Sequence, residues 1–180
     1  CIIDSKTVAV FSYPLAHNIE CFGYKILFKK QKGSLDANKL KELGIMPGPF
    51  YREIKEADTF EFNGTVYNSR EFLFEDKPEK EISIIPDTRY FDGLGEFVKN
   101  SNIIISECTY LLKEDAHHAR KNYHLSILDI EKMIAQSKVE NLFLTHISAR
   151  YDRNIEKDAI ESLRDKCSVK IAHDLEEYSL

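Results

Sequence analysis

The stretch Asn141–Tyr151, NLFLTHISARY, begins as an apolar run and ends on side chains that can do chemistry. Its first part has the composition of a buried strand. A buried strand normally gives way to Gly, Pro, Asn or Asp, but this one continues into His146, Ser148 and Arg150. The stretch therefore predicts a strand of a buried sheet whose end lies at a functional site.

Two other apolar strands end in a similar way. The strand ISIIPD ends on Asp87, and the strand NIIISE ends on Glu107. Helical patterns alternate with these strands, among them residues 127–137, which follow Ser126 as an N-cap. Strands that alternate with helices predict an α/β fold with a largely buried sheet. Ligands bind at the carboxyl edge of such sheets, so the polar strand ends predict one site.

The first half of the chain has another pattern. Strands are predicted over residues 7–15 and 22–29, and a short helix over residues 35–45. The run MPGPFY is predicted to be a stiff turn, because each Pro fixes φ and removes a hydrogen-bond donor. The dipeptide Asn63-Gly64 predicts a type I′ turn inside the hairpin TFEFNGTVY.

The bulk properties are those of a soluble globular protein. The chain has 180 residues, 43% of them hydrophobic and 31% charged, which is ordinary for one domain with a sizeable core. It contains neither an apolar run of membrane-spanning length nor a recognisable signal peptide. Four widely spaced cysteines indicate neither a zinc knuckle nor a disulfide framework, and they favour a cytoplasmic location. Because the chain opens on Cys1 with strand character, we expect it to start inside a domain.

Positive charge is concentrated in one segment. Between Lys25 and Lys55 the chain has eight Lys or Arg and three acidic residues, a net charge of +5 within a chain whose net charge is −5. The overall negative charge argues against a general nucleic-acid coat. Two interpretations of the segment stay open at this point: a solvated face, and a local binding surface.

His17, Asp87 and His146 are residues of the kind that bind Zn²⁺ in catalytic sites. A carboxylate can bridge two metals that activate water for attack on a phosphodiester. Each residue also has a plain explanation: His146 as a satisfied core group, Asp87 as a turn residue and His17 as an exposed loop residue. They are widely spaced in sequence, so a site requires the fold to bring them together.

The chain resembles the ribonuclease Z family, whose members trim the 3′ trailer from precursor tRNA. The motifs that carry this resemblance occur in the family's order: PLAHNIECFGYKI, GIMPGPFY, IIPDTRYF, IISECTYL, YHLS and LFLTHISARY. The resemblance extends from about Val8 to Asp174. The resemblance implies an α/β fold that is the C-terminal half of a metallo-β-lactamase αβ/βα sandwich.

The resemblance also implies zinc ligands. His17 matches a zinc ligand, Asp87 matches the aspartate that bridges two zinc ions, and His146 matches a ligand of the second zinc. The family's His-x-His-x-Asp-His motif does not occur in this chain. Each zinc would then have two protein ligands here, where a catalytic zinc has three or more. The N-terminal half of the same enzyme is therefore an expected partner.

Two further loops match family motifs that support cleavage. Glu107 lies in the His-Glu-Ala-Thr loop, where this chain has Ser106 and Cys108 in place of His and Ala. His124 lies in the His-Ser-Thr loop, where Ser126 is displaced by one position. The resemblance implies that Glu107 and His124 are catalytic, with His124 as a proton donor.

Residues 31–80 correspond to an arm that, in the family, projects from the body and grips tRNA. This arm would be an insertion between residues 1–30 and 81–180 of the metallo-β-lactamase domain. RNA duplexes are recognised mainly by shape and backbone, so Lys and Arg would contact phosphates. We expect few core contacts in the arm, since two prolines, a hairpin and a charged loop build little core. The expected substrate-binding residues are Gly44, Pro47, Gly48, Pro49, Lys39, Lys41, Arg52 and Lys55.

Three functions are compatible with these features. The first is a cytoplasmic, homodimeric, zinc-dependent endoribonuclease that removes the 3′ trailer from precursor tRNA, with two zinc ions in each complete site. This chain would be its C-terminal part and would be inactive without the N-terminal half. The second is an inactive RNA-binding or dimerisation half, which would keep the arm and lose the metal. The third is another metallo-β-lactamase-fold phosphodiesterase or small-molecule hydrolase, against which the Gly-Pro arm argues.

Overall fold

The computed structural model of the chain describes residues 1–135 and 137–178, so Gln136, inside a predicted helix, lies outside the described residues. The chain divides into two compact units. The main unit is Cys1–Phe28 with Lys80–Leu180, and the inserted unit is Lys29–Glu79. Within the described ranges, every helix is too short or too polar to cross a membrane.

Strands and helices follow one another in an order that differs between the two halves of the chain. The strands are β1 (Ile3–Asp4), β2 (Val8–Pro14), β3 (Phe22–Phe28), β4 (Thr59–Phe62), β5 (Thr65–Asn68), β6 (Lys80–Ile85), β7 (Ile103–Glu107), β8 (Asn141–Thr145) and β9 (Ser168–Ile171). The α-helices are α1 (Ala37–Glu42), α2 (Pro49–Glu56), α3 (Gly93–Val98), α4 (Ala116–Lys121), α5 (Ile127–Ile134) and α6 (Arg153–Glu161). From β6 onward, helices alternate with strands, as the sequence predicts.

The main unit contains a seven-stranded sheet in the order β1-β2-β3-β6-β7-β8-β9. The strands from β1 to β6 pair antiparallel, and those from β6 to β9 pair parallel. Parallel pairing aligns the carboxyl ends of β6, β7 and β8, with Ile85 opposite Ser106 and Glu107 opposite Thr145. Residues that directly follow these strands therefore meet at one edge of the sheet.

Helices α3 and α5 contribute to a core on one face of this sheet. Side chains of alternate strand positions, such as Ile104 and Leu142, are fully buried together with Leu94 of α3 and Ile130 of α5. The start of α5 is fixed by a capping box, because the Ser126 backbone N–H and hydroxyl both donate to the Asp129 carboxylate. The predicted cap at Ser126 is confirmed.

The opposite face of β1–β3 is apolar and solvent-exposed. Tyr24 lies opposite Ile84 on this face, and Phe28 lies opposite Val8. Tyr24 is 39% exposed and Ile3 is 54% exposed, which is high for side chains of this size. The exposed apolar side chains that share this face are available to contact a partner.

The inserted unit has a core of its own, so the expectation that two prolines, a hairpin and a charged loop build little core is wrong. The core is made of Leu40, Ile45, Ile54, Phe60 and Phe72. Phe50 and Tyr51 pack against it. The predicted hairpin is present as β4 and β5, and positive φ angles at Asn63 (53°) and Gly64 (76°) fit its type I′ turn.

The predicted stiff turn at MPGPFY is confirmed only as a bend at Pro47 and Gly48, because helix α2 begins at Pro49. Pro49 occupies the first turn of α2, where its missing N–H would have no intrahelical partner anyway. Ile54, four residues after Phe50, is fully buried in the core of the inserted unit. Burial of this apolar side chain stabilises a helix that the prediction of a turn did not include.

Backbone contacts close the inserted unit where the chain enters and leaves it. Gln31 pairs with Lys77. Asp76 accepts hydrogen bonds from the Gly33 N–H (3.1 Å) and from Arg70 Nη1 (2.6 Å). These hydrogen bonds lower the pKa of Asp76 from 3.8 to about 2, and the bond from Arg70 has the larger effect.

Candidate metal centre

Asp87, His124 and His146 meet at the carboxyl edge of the parallel strands. Asp87 follows β6, His146 follows β8, and His124 precedes α5. Each offers one ligand atom, and these atoms lie within 4.8 Å of one another. The structure thus groups two of the predicted zinc ligands with the predicted proton donor. His17 lies beside this group, with its ring centroid 5.5 Å from that of His124.

Glu107, at the end of β7, connects the loops that carry this group. Its carboxylate is fully buried and accepts five hydrogen bonds. Oε1 accepts from the Thr88 and Leu125 backbone N–H groups and from His124 Nδ1, at 3.0–3.1 Å. Oε2 accepts from the Thr109 N–H (3.0 Å) and hydroxyl (2.9 Å). One side chain therefore fixes the backbone beside Asp87 and both the ring and the backbone at His124.

These contacts determine which nitrogen of two imidazoles carries hydrogen. A carboxylate and a carbonyl oxygen only accept hydrogen bonds, so a ring nitrogen that contacts either must donate. His124 Nδ1–H therefore donates to Glu107 (3.0 Å), and His17 Nδ1–H donates to the Tyr123 carbonyl (3.0 Å). In their neutral forms both rings then offer the Nε2 lone pair. An imidazole oriented through Nδ1, together with a nearby carboxylate, is a donor set that fits zinc.

Two residues of the site have a left-handed backbone conformation. His146 has a φ of 56° and Tyr123 a φ of 61°. Non-glycine residues with positive φ are uncommon and concentrate at functional sites. Tyr123 is held by its contact with His17 and by the Arg89 guanidinium, 4.7 Å from its ring centroid.

The group is open to solvent on one side. Glu107 is buried and His124 is 17% exposed, whereas Asp87 is 37% and His146 51% exposed at their side chains. Cys21 lies close enough to be affected, because burial and then the negative charge of Asp87 raise the pKa of its thiol. An open carboxylate and imidazole can therefore meet a ligand from solvent while their supports stay buried.

The polar continuation of β8 forms a network around the site. The Ser148 N–H donates to the Thr109 carbonyl (3.2 Å), and Arg150 Nε donates to Ser148 Oγ (3.3 Å). The Arg150 guanidinium lies 4.8 Å from the ring centroid of Tyr110 and 5.3 Å from that of Tyr151. Burial, and then the hydrogen bond to an aspartate, raises the pKa of Tyr151 to about 12. The residues after the strand are thus tied to the loop that follows Glu107.

Sequence reasoning missed Thr109. Its hydroxyl lies between Glu107 Oε2 and His146 Nδ1, 2.9 and 2.8 Å away. Its position two residues after Glu107, in the SECT motif, is the feature of the sequence that could have indicated a place in the site. The short side chain alone gave no reason to expect a contact with a histidine 37 residues away in sequence.

The predicted substrate-binding residues all lie in the inserted unit, and their role stays a prediction. Gly44 has a φ of 86° and follows α1. Lys39 Nζ donates to the Glu71 carbonyl (3.0 Å), and Arg52 pairs with Glu56 (3.1 Å). The others are Lys41, Pro47, Gly48 and Pro49, which are exposed, and Lys55, which is half-buried.

Sequence comparison relates the chain to known enzymes, although no model of a protein family matches it. It is 33% identical over 179 residues to ribonuclease Z of Bacillus cereus, a match that takes in 98% of this chain. Ribonuclease Z of Bacillus anthracis matches to the same extent. This chain is similar to ribonuclease Z. It spans 58% of the length of these relatives and matches a C-terminal part of ribonuclease Z.

Solved structures agree on the fold. The metallo-β-lactamase-fold protein YhfI from Bacillus subtilis has a TM-score of 0.56, over 94% of this chain and 49% of its own. Human tRNase Z, short form (ELAC1), has a TM-score of 0.52, over 94% of this chain and 43% of its own. Both are 15% identical in sequence, so they inform about the fold alone. The predicted metallo-β-lactamase fold is confirmed, and this chain corresponds to about half of each of these two structures.

Proposed function

We propose that this chain is the C-terminal part of a zinc-dependent endoribonuclease that removes the 3′ trailer from precursor tRNA by phosphodiester hydrolysis. The observation that carries the proposal is the group of Asp87, His124 and His146, built on Glu107 in a chain similar to ribonuclease Z. Imidazole and carboxylate donors without thiolate are typical of catalytic zinc.

Asp87, His146 and His17 are the proposed metal ligands. Bound zinc would polarise the phosphodiester and supply hydroxide as the nucleophile. Asp87 has two carboxylate oxygens, so it could contribute a ligand atom to each of two ions. The same proposal includes three further statements: the metal is zinc, each complete site holds two ions, and the protein is a homodimer. Metal content per chain and the mass of the protein in solution test them.

His124 is the proposed proton donor. When hydroxide attacks phosphorus and the bond from phosphorus to the tRNA 3′-oxygen breaks, His124 Nε2–H would give its proton to that oxygen. Glu107 accepts the Nδ1–H of the same ring and so stabilises the charged imidazole before transfer. The distances within the site also favour a second assignment, in which His124 is a metal ligand.

The exposed apolar face of β1–β3 supports the proposal that the chain is one part of a larger enzyme. The N-terminal half would cover Tyr24, Phe28 and Ile3, which are exposed here. The chain matches only 58% of the length of its relatives, which is consistent with a second half of comparable size. That half would also supply the metal ligands that this chain lacks.

The inserted unit is the proposed RNA-binding surface. Residues 29–55 of this unit have a net charge of +4, although the whole unit has a net charge of −1. Lys41 is exposed at the end of α1. Each phosphate contact made by a Lys or Arg adds to the salt dependence of binding. Lys41→Ala should therefore weaken binding of precursor tRNA and reduce the salt slope by about 1. Lys166→Ala, in the main unit, is the matched control. Equal slopes for both variants would argue against a phosphate contact at Lys41.

Cleavage by the full-length protein is the direct test. Precursor tRNA with a 3′ trailer should be cut once, at the trailer junction, and a chelator should abolish cleavage until zinc is restored. Asp87→Asn should lose both bound zinc and cleavage. Asp92→Asn, an exposed carboxylate five residues away, should keep both. Full cleavage by the Asp87 variant would refute the assignment of the site.

A further inference from the structure

Thr109 bridges two residues of the candidate metal centre. Its Oγ1 lies 2.9 Å from Glu107 Oε2 and 2.8 Å from His146 Nδ1. Both distances are those of good hydrogen bonds. Asp87 Oδ1 is the other acceptor near this ring nitrogen, but at 3.7 Å it is too far for a hydrogen bond.

A count of hydrogens gives these two bonds a direction. A hydroxyl has one hydrogen, whereas both oxygens of Glu107 already accept hydrogen bonds from backbone N–H groups and so act as acceptors. The Thr109 hydrogen must therefore point to Glu107, which leaves only lone pairs for His146. We propose that His146 Nδ1–H donates to Thr109, so that Thr109 is a positioning residue that fixes the tautomer of His146.

The consequence is that one buried carboxylate sets the hydrogen positions of two histidines. Glu107 receives Nδ1–H of His124 directly and orients His146 through the Thr109 hydroxyl. The two rings stack with centroids 5.1 Å apart. Both then present an unprotonated Nε2 when neutral. The value of this arrangement for zinc binding rests on the proposed function, but the tautomer itself does not.

The hydroxyl of Thr109 can be removed without removing its backbone contact. The Thr109 N–H also donates to Glu107 Oε2 (3.0 Å), and Val has nearly the same shape as Thr. Thr109→Val therefore deletes the bridge to His146 and keeps the chain path. Thr109→Ser keeps the hydroxyl and loses only a methyl group, so it is the matched control.

The experiment reads the tautomers by ¹⁵N NMR of histidine side chains in the full-length, metal-free protein, at a pH where the spectra themselves show neutral imidazole. Wild type and Thr109→Ser should show His146 protonated at Nδ1. Thr109→Val should lose this single tautomer at His146, while His124, held directly by Glu107, should keep its own. Zinc affinity should fall by about 10- to 100-fold in the Val variant and stay near wild type in the Ser variant.

An Nε2–H tautomer of His146 in the wild-type protein would overturn the proposal, whether or not the variants fold. An unchanged His146 tautomer in a folded Thr109→Val protein would overturn it as well. Because the spectrum is recorded without metal or RNA, a protein that cuts no tRNA can still confirm the role of Thr109. A protein that cuts tRNA can still refute it.

Discussion

His124 is the residue on which the mechanism depends most. Its ring is fixed by Glu107 and stacks on His146, so it can act as an acid or bind a metal. If it is the acid, His124→Ala in the full-length protein should lower kcat on precursor tRNA by about two to four orders of magnitude. Zinc content, measured by elemental analysis, should stay unchanged.

His118→Ala is the matched control, because His118 is an exposed histidine on α4. It should leave both kcat and zinc content at wild-type values. Loss of zinc from the His124 variant would identify His124 as a ligand. A kcat near wild type with full zinc content would remove His124 from the mechanism.

A second residue-scale prediction concerns Asp76 of the inserted unit. Its folded pKa of about 2 lies below the ordinary 3.8, chiefly because Arg70 donates to it. A lowered carboxylate pKa stabilises the fold above the ordinary value, and this stabilisation disappears as the pH falls from about 4 towards 2. Asp76→Asn should therefore be less stable than wild type at pH 7, with the difference shrinking through that range.

Thermal unfolding across pH 2–7 measures this difference. Glu75→Gln is the control, since Glu75 is an exposed neighbour. It should follow the wild-type pH dependence. A difference between Asp76→Asn and wild type that is the same at pH 7 and pH 2 would show that charge is not the cause.

Sequence reasoning identified the residue types at the strand ends but not their contacts. Asp87, Glu107 and His146 could be predicted to share an edge, because parallel strands align their carboxyl ends. The bridge from Thr109 to His146 could not, because it depends on how the backbone turns after each strand. The positive φ of His146 is such a turn, and no glycine or asparagine signals it.

At the scale of elements, the inserted unit depends on a close backbone approach at Gly33. A Cβ atom at this position would lie 2.0 Å from the Phe74 carbonyl oxygen and 2.6 Å from its carbon. Backbone atoms cannot move aside as a flexible side chain does. Gly33→Ala should therefore destabilise the inserted unit by ~3 kcal/mol. Hydrogen exchange of the amides of this unit measures the effect.

Gly95→Ala in α3 is the matched control. Nothing lies within 4 Å of a Cβ built there, and the helical backbone accepts Ala readily. This variant should be as stable as wild type or more stable by ~0.5–1 kcal/mol. Equal stability of the Gly33 and Gly95 variants would contradict the steric account.

Helix α2 shows why some elements escaped prediction. Pro47 and Pro49 signal a turn by removing donors, yet Pro is also well suited to the first turn of a helix. Phe50 and Ile54, spaced by four, carried the helical signal. The burial of Ile54 in one core with Phe60 and Phe72 favours the helix over the turn. This core depends on residues that a local sequence pattern does not bring together.

At the scale of the whole molecule, we expect the exposed face of β1–β3 to be where the proposed N-terminal half binds. Tyr24→Arg would place a charge in an apolar interface and remove an aromatic contact. It should weaken association with the N-terminal half, supplied as a separate chain, by ~2 kcal/mol or more. Calorimetry measures this affinity.

Val66→Arg is the control, because Val66 is an apolar residue that is 67% exposed on the hairpin of the inserted unit. It should bind the N-terminal half as wild type does. If both variants bind equally well, the sheet face is not the contact surface. If both lose affinity equally, general charge repulsion is the cause.

The position of the inserted unit in the sheet determines how easily it can be removed or replaced. It leaves the sheet after Phe28 and returns at Lys80, and these two residues are paired neighbours in adjacent antiparallel strands. A two-residue turn could join them, since such hairpins are common connections. Each halving of the length of a connecting loop reduces its closure cost by only ~0.6 kcal/mol. The stability of the sheet therefore depends little on the length of the insert. The junction is therefore a site at which one inserted unit can be exchanged for another while the sheet is kept.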